Sequence, residues 1–295
     1  MIIDVHTHIF SPEMAALREK YCETEARFAE CYVSPKARMV AAEELIAAMD
    51  NAGVARAVVM GYAFADEALC RVSNDYIIEA VRRYPERLIG LGAVQPLDGD
   101  RAIYEAERCF QAGLAGLGEL TPDGQQFDVT SRETLAPLAE MLIQYDKPLL
   151  IHASEPVGHA YGGKGQTTPE KILKLAENFP ELKIIAGHWG GGLLFYELMP
   201  EVRASLANLY YDTAATTYLY RFDVFRAALA ACPLEKILFA SDYPVLGPSR
   251  LLQRIRHEAN LTETELAAIL GGNAARLFGI EDKDKNHEEK EKANE

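Results

Sequence analysis

Short apolar runs rich in β-branched residues recur along the chain, with helical segments between them, and this alternation narrows the fold more than any other feature. Residues 2–5, 55–60, 88–94, 116–120, 149–152, 183–186, 209–212 and 236–240 read as strands. Several of them (VVM, PLLI, KIIA) are apolar on both faces, as parallel strands covered by helices are. Helix punctuation lies between them. Thr168, Pro169 and Glu170 predict a cap, a first-turn proline and an early acid, followed by Ile172, Leu173, Ala176 and Phe179 on one face. Eight strands entered about every 26 to 35 residues predict an α/β protein of the (β/α)8 TIM-barrel type, which needs roughly 250 residues. The chain has 295. The first interval is longer by about twenty residues, and because this surplus, residues 10–40, follows a strand, it is expected as an extended loop over the C-terminal face of the barrel. A doubly wound open sheet would call for a glycine-rich phosphate loop after strand one, and HTHIFSPEM is not one.

Composition excludes several classes. With 49% hydrophobic and 25% charged residues the body cannot be wholly disordered. No apolar run reaches the ~18 to 20 residues of a membrane span, and MIIDVHTHIF lacks the basic flank and long apolar core of a secretory signal. Lys and Arg total 30 against 44 for Asp and Glu, a net charge of −14, which argues against nucleic acid as a partner and for a small-molecule substrate. Cys22, Cys31, Cys70, Cys109 and Cys232 are scattered without a CxxC spacing, as buried reduced thiols of a cytoplasmic protein would be. The barrel domain is expected over residues 1–280. Residues 281–295 (EDKDKNHEEKEKANE) have no large apolar side chain to offset the entropy of ordering and are expected as a disordered tail.

The histidines carry the functional signal. His6 and His8 stand at i and i+2 at the end of strand one, so both side chains point to one side of it. An HxH pair alone is weak, since a histidine at a strand end commonly just makes a hydrogen bond. Other strand ends carry the same residue types: Glu119 in GLGELTP, His152 in LLIHAS, His188 in IIAGHWGGG and Asp242 in ILFASDYP. These residues at the same end of five strands predict a divalent metal site, built from the mixture of nitrogen and carboxylate donors that catalytic sites use.

HxH, the histidines ending strands five and six, and the SDYP aspartate resemble the amidohydrolase superfamily. RYPERLIGLGAVQP (83–96), GHWGGG (187–192), LFASDYP (238–244) and GGNAARLFGI (271–280) narrow the resemblance to its amidohydrolase-related branch, the aminocarboxymuconate-semialdehyde decarboxylase-like metal-dependent hydrolases. The resemblance implies a distorted TIM barrel, a divalent metal that is usually zinc, and a homodimer. It also implies His6, His8, His152 and Asp242 as ligands, with His188 as acid/base beside the metal. Glu119 resembles instead the bridging ligand of TatD-type hydrolases. In that arrangement His6, His8 and Asp242 hold one ion, His152 and His188 a second, and Glu119 both. The alternative is a glutamate that orients a ligand histidine.

Glu119 therefore puts hydrolysis of a small amide, ester or lactone by metal-activated water first, with Asp242 passing the proton and His188 assisting. Non-oxidative decarboxylation of an aromatic or muconate-like acid is the alternative, because the same ligand set serves both. A metal-dependent phosphoesterase and a non-catalytic metal-binding barrel follow. For the substrate wall, the loop at 154–170 offers Glu155, His159, Tyr161 and Lys164, and Trp189 follows His188 directly. Tyr218 and Arg221 follow strand seven, and Arg27 and Arg38 lie in the long first loop, where an arginine could take a carboxylate.

Overall fold

The eight apolar runs pair in chain order as one parallel sheet: β1 (Ile3–His8), β2 (Arg56–Met60), β3 (Leu88–Gly92), β4 (Gly116–Leu120), β5 (Leu149–Ile151), β6 (Ile184–Ala186), β7 (Leu209–Asp212) and β8 (Ile237–Leu238). The structure is a computed structural model and describes residues 1–280. The tail expected at 281–295 lies outside the described residues. Hydrogen bonds from Val5 N–H to the Phe239 carbonyl (2.9 Å) and from His8 N–H to the Tyr243 carbonyl (2.7 Å) bring the eighth strand back to the first, making a (β/α)8 barrel.

Strand side chains divide by the two-residue period. Ala57 and Val59 pack outward with the helices, while Val58 and Met60 fill the interior with Ile3, Val5, Leu150 and Ile185. Each such side chain, fully buried, contributes about 1.5 to 3 kcal/mol. Two strands break the period, and both breaks aim site residues. On β1, Asp4 pairs with Ala57 and Thr7 with Val59, so β1 has one residue more than β2 across that stretch. Ile3 and Val5 are interior, and without the extra residue His6 and His8 would face the helices. On β4, Leu117 pairs with Leu149 and Leu120 with Ile151, again with one residue extra. Leu117 and Leu120 both pack outward, and the bulge turns Glu119 inward between them.

The surplus at residues 10–40 is helical rather than an open loop. Pro12–Ala16, Arg18–Thr24 and Ala26–Tyr32 form short helices, anchored by Phe10, Tyr21 and Phe28, which are buried. The helix predicted after Thr168 spans Pro169–Asn178 with Ile172, Leu175 and Ala176 buried. Thr168 takes the cap position, but its side chain makes no capping bond.

Candidate metal centre

The ends of β1, β4, β5, β6 and β8 each deliver one or two groups to the same point. His6 and His8 from the β1 bulge have Nε2 atoms 3.1 Å apart. Glu119 reaches both, with Oε2 3.4 Å from His6 Nε2 and 3.7 Å from His8 Nε2. Its other oxygen, Oε1, lies 2.9 Å from His152 Nδ1 and 3.3 Å from His188 Nε2. Asp242 Oδ1 stands 3.7 Å from His8 Nε2 and 3.9 Å from His6 Nε2. All six residues expected at the site are thus in one cluster. His6, His8 and Glu119 form one group whose ligand atoms are close enough to share an ion, and Glu119, His152 and His188 form another.

The donors fit a divalent cation by their own chemistry. Imidazole nitrogens oppose each other twice, at 3.1 Å for His6 and His8 and at 3.2 Å for His188 Nε2 and His152 Nδ1. Two such nitrogens can share only one proton, whereas their lone pairs can converge on a cation. Outer atoms are held as ligand histidines require: His8 Nδ1 is 3.1 Å from the Gly61 carbonyl and His152 Nε2 is 3.2 Å from Ser154 Oγ.

Asp212, at the end of β7, completes this scaffold and was not expected from the sequence. Its Oδ2 lies 2.8 Å from His6 Nδ1, and its Oδ1 accepts from the backbone N–H groups of His188 (2.8 Å) and Ala214 (3.0 Å). It is fully buried. The one signal was that an acid closes LYYD, one of three strands to which no ligand had been given. Asp4 works similarly one layer below, accepting from the Ser241 N–H at 2.9 Å, and burial pushes its carboxyl up to about 6 despite the hydrogen bonds from Ser241.

Charge in the cluster is balanced by proximity. Burial would raise the Glu119 carboxyl, but the His6 and His152 charges outweigh it and hold it well below the usual range. Burial likewise would lower His6, yet Glu119 and Asp212 raise it well above an ordinary histidine. For His188 the bond to Glu119 overcomes desolvation and lifts it to about 9, whereas burial and the His6 charge lower His8. Carboxylates that hold protons on these imidazoles in the free protein would equally favour a cation that replaces them.

The backbone after β6 is unusual. His188 and Trp189 have φ of 55° and 60°, and Gly190, Gly191 and Gly192 continue in the left-handed region. Asp242 also has a positive φ, 64°. A left-handed L-residue costs roughly 1–2 kcal/mol, and such positions gather at functional sites.

A cavity of about 550 Å³ opens on the cluster. His8, Glu119, His152, His188 and Asp242 form its floor, and His159 and Tyr161 stand on its wall. Arg27, Arg38 and Tyr218 line it as well, and so does Cys31, whose thiol burial pushes up to about 11. Four residues considered for the wall are not on it: Glu155, which accepts from the Tyr161 hydroxyl (3.0 Å), Lys164, which donates to the Val157 carbonyl (2.6 Å), Trp189 and Arg221. Trp189 is fully buried, edge-on to Phe225, with its Nε1 donating to Thr216 Oγ1 (2.9 Å). Arg221 projects into solvent and pairs with Asp223 at 3.1 Å. The left-handed turn that presents His188 to the cavity sends the next side chain into the core. Sequence reasoning missed Tyr32 and Tyr62, which face the cavity from the insertion and from beyond β2.

Barrel, strand-end histidines and acids define a (β/α)8 protein with a candidate metal centre. The chain belongs to the amidohydrolase family, whose profile matches residues 3–280; this is a family of enzymes. A gamma-resorcylate decarboxylase of Polaromonas sp. is 26% identical over 262 residues, covering 71% of this chain and 76% of its own. A 2-amino-3-carboxymuconate-6-semialdehyde decarboxylase of Dictyostelium discoideum is 24% identical over 335 aligned positions, covering 95% of this chain and 92% of its own. The crystal structure of 5-carboxyvanillate decarboxylase from Novosphingobium aromaticivorans, complexed with manganese and 4-hydroxy-3-methoxy-5-nitrobenzoic acid, shares the fold with a TM-score of 0.78 at 18% identity, covering 95% and 96% of the two chains. The donor set of this chain supports a divalent metal.

These similarities correct the expectation of hydrolysis. The two relatives compared by sequence are named decarboxylases, which favours the carboxy-lyase alternative over hydrolysis. Hydrolysis had rested on Glu119, and a carboxylate placed among histidines does not report which bond the substrate breaks. No helix among the described residues is long and apolar enough to cross a membrane.

Proposed function

We propose that residues 1–280 act as one catalytic domain that removes CO2, without oxidation, from a small hydroxylated aromatic or muconate-like carboxylic acid. The observation that carries this reading is the similarity to the Dictyostelium decarboxylase along 95% of the chain. The cavity's floor and size support it, since about 550 Å³ suits a single ring.

His6, His8, His152 and Asp242 would hold the ion, with Glu119 and His188 beside it. When bound, the ion supplies a positive centre that orients the substrate's oxygens and draws electron density from them. The chain's own groups do the rest. Arg27 and Arg38 attract the anionic acid into the cavity. Asp242 carries the proton to the ring carbon that bears the carboxylate. The bond from that carbon to the carboxylate then breaks, CO2 leaves, and its electron pair restores the conjugated ring, so one proton is consumed per CO2 released. His188, whose buried Nδ1 has no hydrogen-bond partner among the described residues, steadies the oxygen next to the reacting carbon.

The nitrogen-rich ligands favour zinc. The division of the two Glu119 oxygens between two groups of histidines supports a second ion. Metal content per chain in wild type and Glu119→Gln reads the number: near two, falling in the variant, supports a bridging glutamate, and near one, unmoved, rules it out. The activity itself is tested by CO2 release from a panel of hydroxybenzoates, carboxyvanillates and aminomuconate acids by metal-loaded protein. Release from one class, abolished by chelation and in Asp242→Asn, is expected; no release from any of them would overturn the reading.

A further inference from the structure

Tyr62 stands two residues beyond β2 and lines the same cavity as Cys31 and Tyr32 of the insertion and the floor residues His8 and Glu119. Its side chain is held on three sides. Phe28 meets it edge-on at 5.1 Å, Tyr32 at 6.0 Å and Phe64 at 5.0 Å. The preceding residue, Gly61, gives its carbonyl to His8 Nδ1, so ring and ligand histidine hang from neighbouring residues. Tyr62 is only 8% exposed, yet its hydroxyl has no hydrogen-bond partner among the described residues.

A buried hydroxyl without a partner is a net destabilisation, and phenylalanine would fill the same aromatic niche without it. Native proteins rarely leave such groups unpaired, and the exceptions call for a cause. Here the residue lines the cavity in which the substrate is handled, its ring is packed against Phe28, Tyr32 and Phe64, and its hydroxyl has neither a partner among the described residues nor contact with bulk solvent. We propose that Tyr62 is a specificity-determining residue: its hydroxyl pairs with an oxygen substituent of the substrate ring other than those held at the metal centre. A site built to pair with a substrate oxygen rejects the analogue that lacks it, because the protein group is then left buried and unpaired. The chemical class of the ring rests on the decarboxylase reading, but the pairing can be measured by binding alone.

The test uses metal-loaded wild type and Tyr62→Phe. Calorimetry compares 2-hydroxybenzoate with 2,3-, 2,4- and 2,6-dihydroxybenzoate, and melting temperatures are taken without ligand. Wild type is expected to bind one dihydroxy isomer about three- to tenfold more tightly than 2-hydroxybenzoate. Tyr62→Phe should lose that preference while binding 2-hydroxybenzoate unchanged, and its ligand-free form should melt at the same or a higher temperature. A structural hydroxyl would behave oppositely, with a melting temperature lowered by several degrees or no folded protein, and that overturns the proposal. So does a preference absent from wild type, or one that survives in the variant. A preference that disappears in Tyr62→Phe, without CO2 release from any isomer, keeps Tyr62 in its role and removes the decarboxylase reading. CO2 release with a preference the variant retains does the reverse, and binding of none of the acids overturns both.

Discussion

Asp212→Asn changes one atom in a buried residue that no solvent or ligand reaches, and its consequence follows from hydrogen-bond geometry. Asp212 accepts three bonds, one from His6 Nδ1 at 2.8 Å and two from the His188 and Ala214 backbone N–H groups at 2.8 and 3.0 Å. Asparagine keeps one acceptor oxygen, and the two fixed backbone donors claim it. Its NH2 group then faces His6 Nδ1, which must become the acceptor, so the His6 proton moves to Nε2. That nitrogen is the one turned towards His8 and Glu119, where a ligand lone pair is needed. The carboxylate also loses its charge, and burial no longer has to be offset by the His6 partnership that holds Asp212 below its usual pKa. Loss of an outer partner of a ligand histidine typically weakens metal binding about 10- to 100-fold, which is about 1.4 to 2.7 kcal/mol and in the range of one charge-assisted hydrogen bond. Competition against a chromophoric chelator, for wild type and variant, measures the affinity directly. Binding within twofold of wild type would refute the role given to Asp212. The shape of the side chain is conserved, so the melting temperature should move far less than in His6→Ala.

Gly191→Ala should destabilise the fold by about 2 to 4 kcal/mol, from overpacking and a left-handed backbone together. Gly191 has a φ of +60°, and a Cβ there would lie 2.4 Å from the Ser154 carbonyl oxygen; an unchanged urea midpoint would show that the two loops separate freely. Glu105 gives a pH dependence. Burial raises its carboxyl, but bonds from Arg108 and Asn74 outweigh this and leave it below the usual value. A carboxyl lowered in the folded state stabilises fully above the unfolded pKa, near 4.3, and loses that stabilisation as pH falls through the folded value. Wild type should therefore exceed Glu105→Gln in denaturant midpoint at neutral pH, with the gap closing below about pH 4. A gap independent of pH would contradict this.

The barrel was legible because buried parallel strands need apolar residues on both faces, and VVM, PLLI and KIIA have no other comfortable place. His6, His8, His152, His188, Glu119 and Asp242 were legible because polar residues directly after such runs have only the barrel mouth to occupy. What was hidden depends on register. Nothing in IDVHTH or GLGEL announces a bulge, yet the extra residue on each strand is what turns His6, His8 and Glu119 inward. Asp212 was hidden because an acid ending LYYD looks the same whether it meets water or a histidine. Trp189 and Arg221 were drawn towards the site by their proximity in sequence to His188 and β7. A run of positive φ sends one into the core, and the other turns out to Asp223. The reaction was the least legible feature, since metal ligands alone are common to bond cleavage by water and to loss of CO2.

The most direct measurement is the product formed in D2O by metal-loaded protein from whichever hydroxylated aromatic or muconate-like acid it consumes. The expected result is one CO2 per substrate and one deuterium at the carbon that carried the carboxylate, both lost on chelation and in Asp242→Asn. A product that keeps its carboxylate, or that gains an oxygen from water, would contradict decarboxylation at this centre.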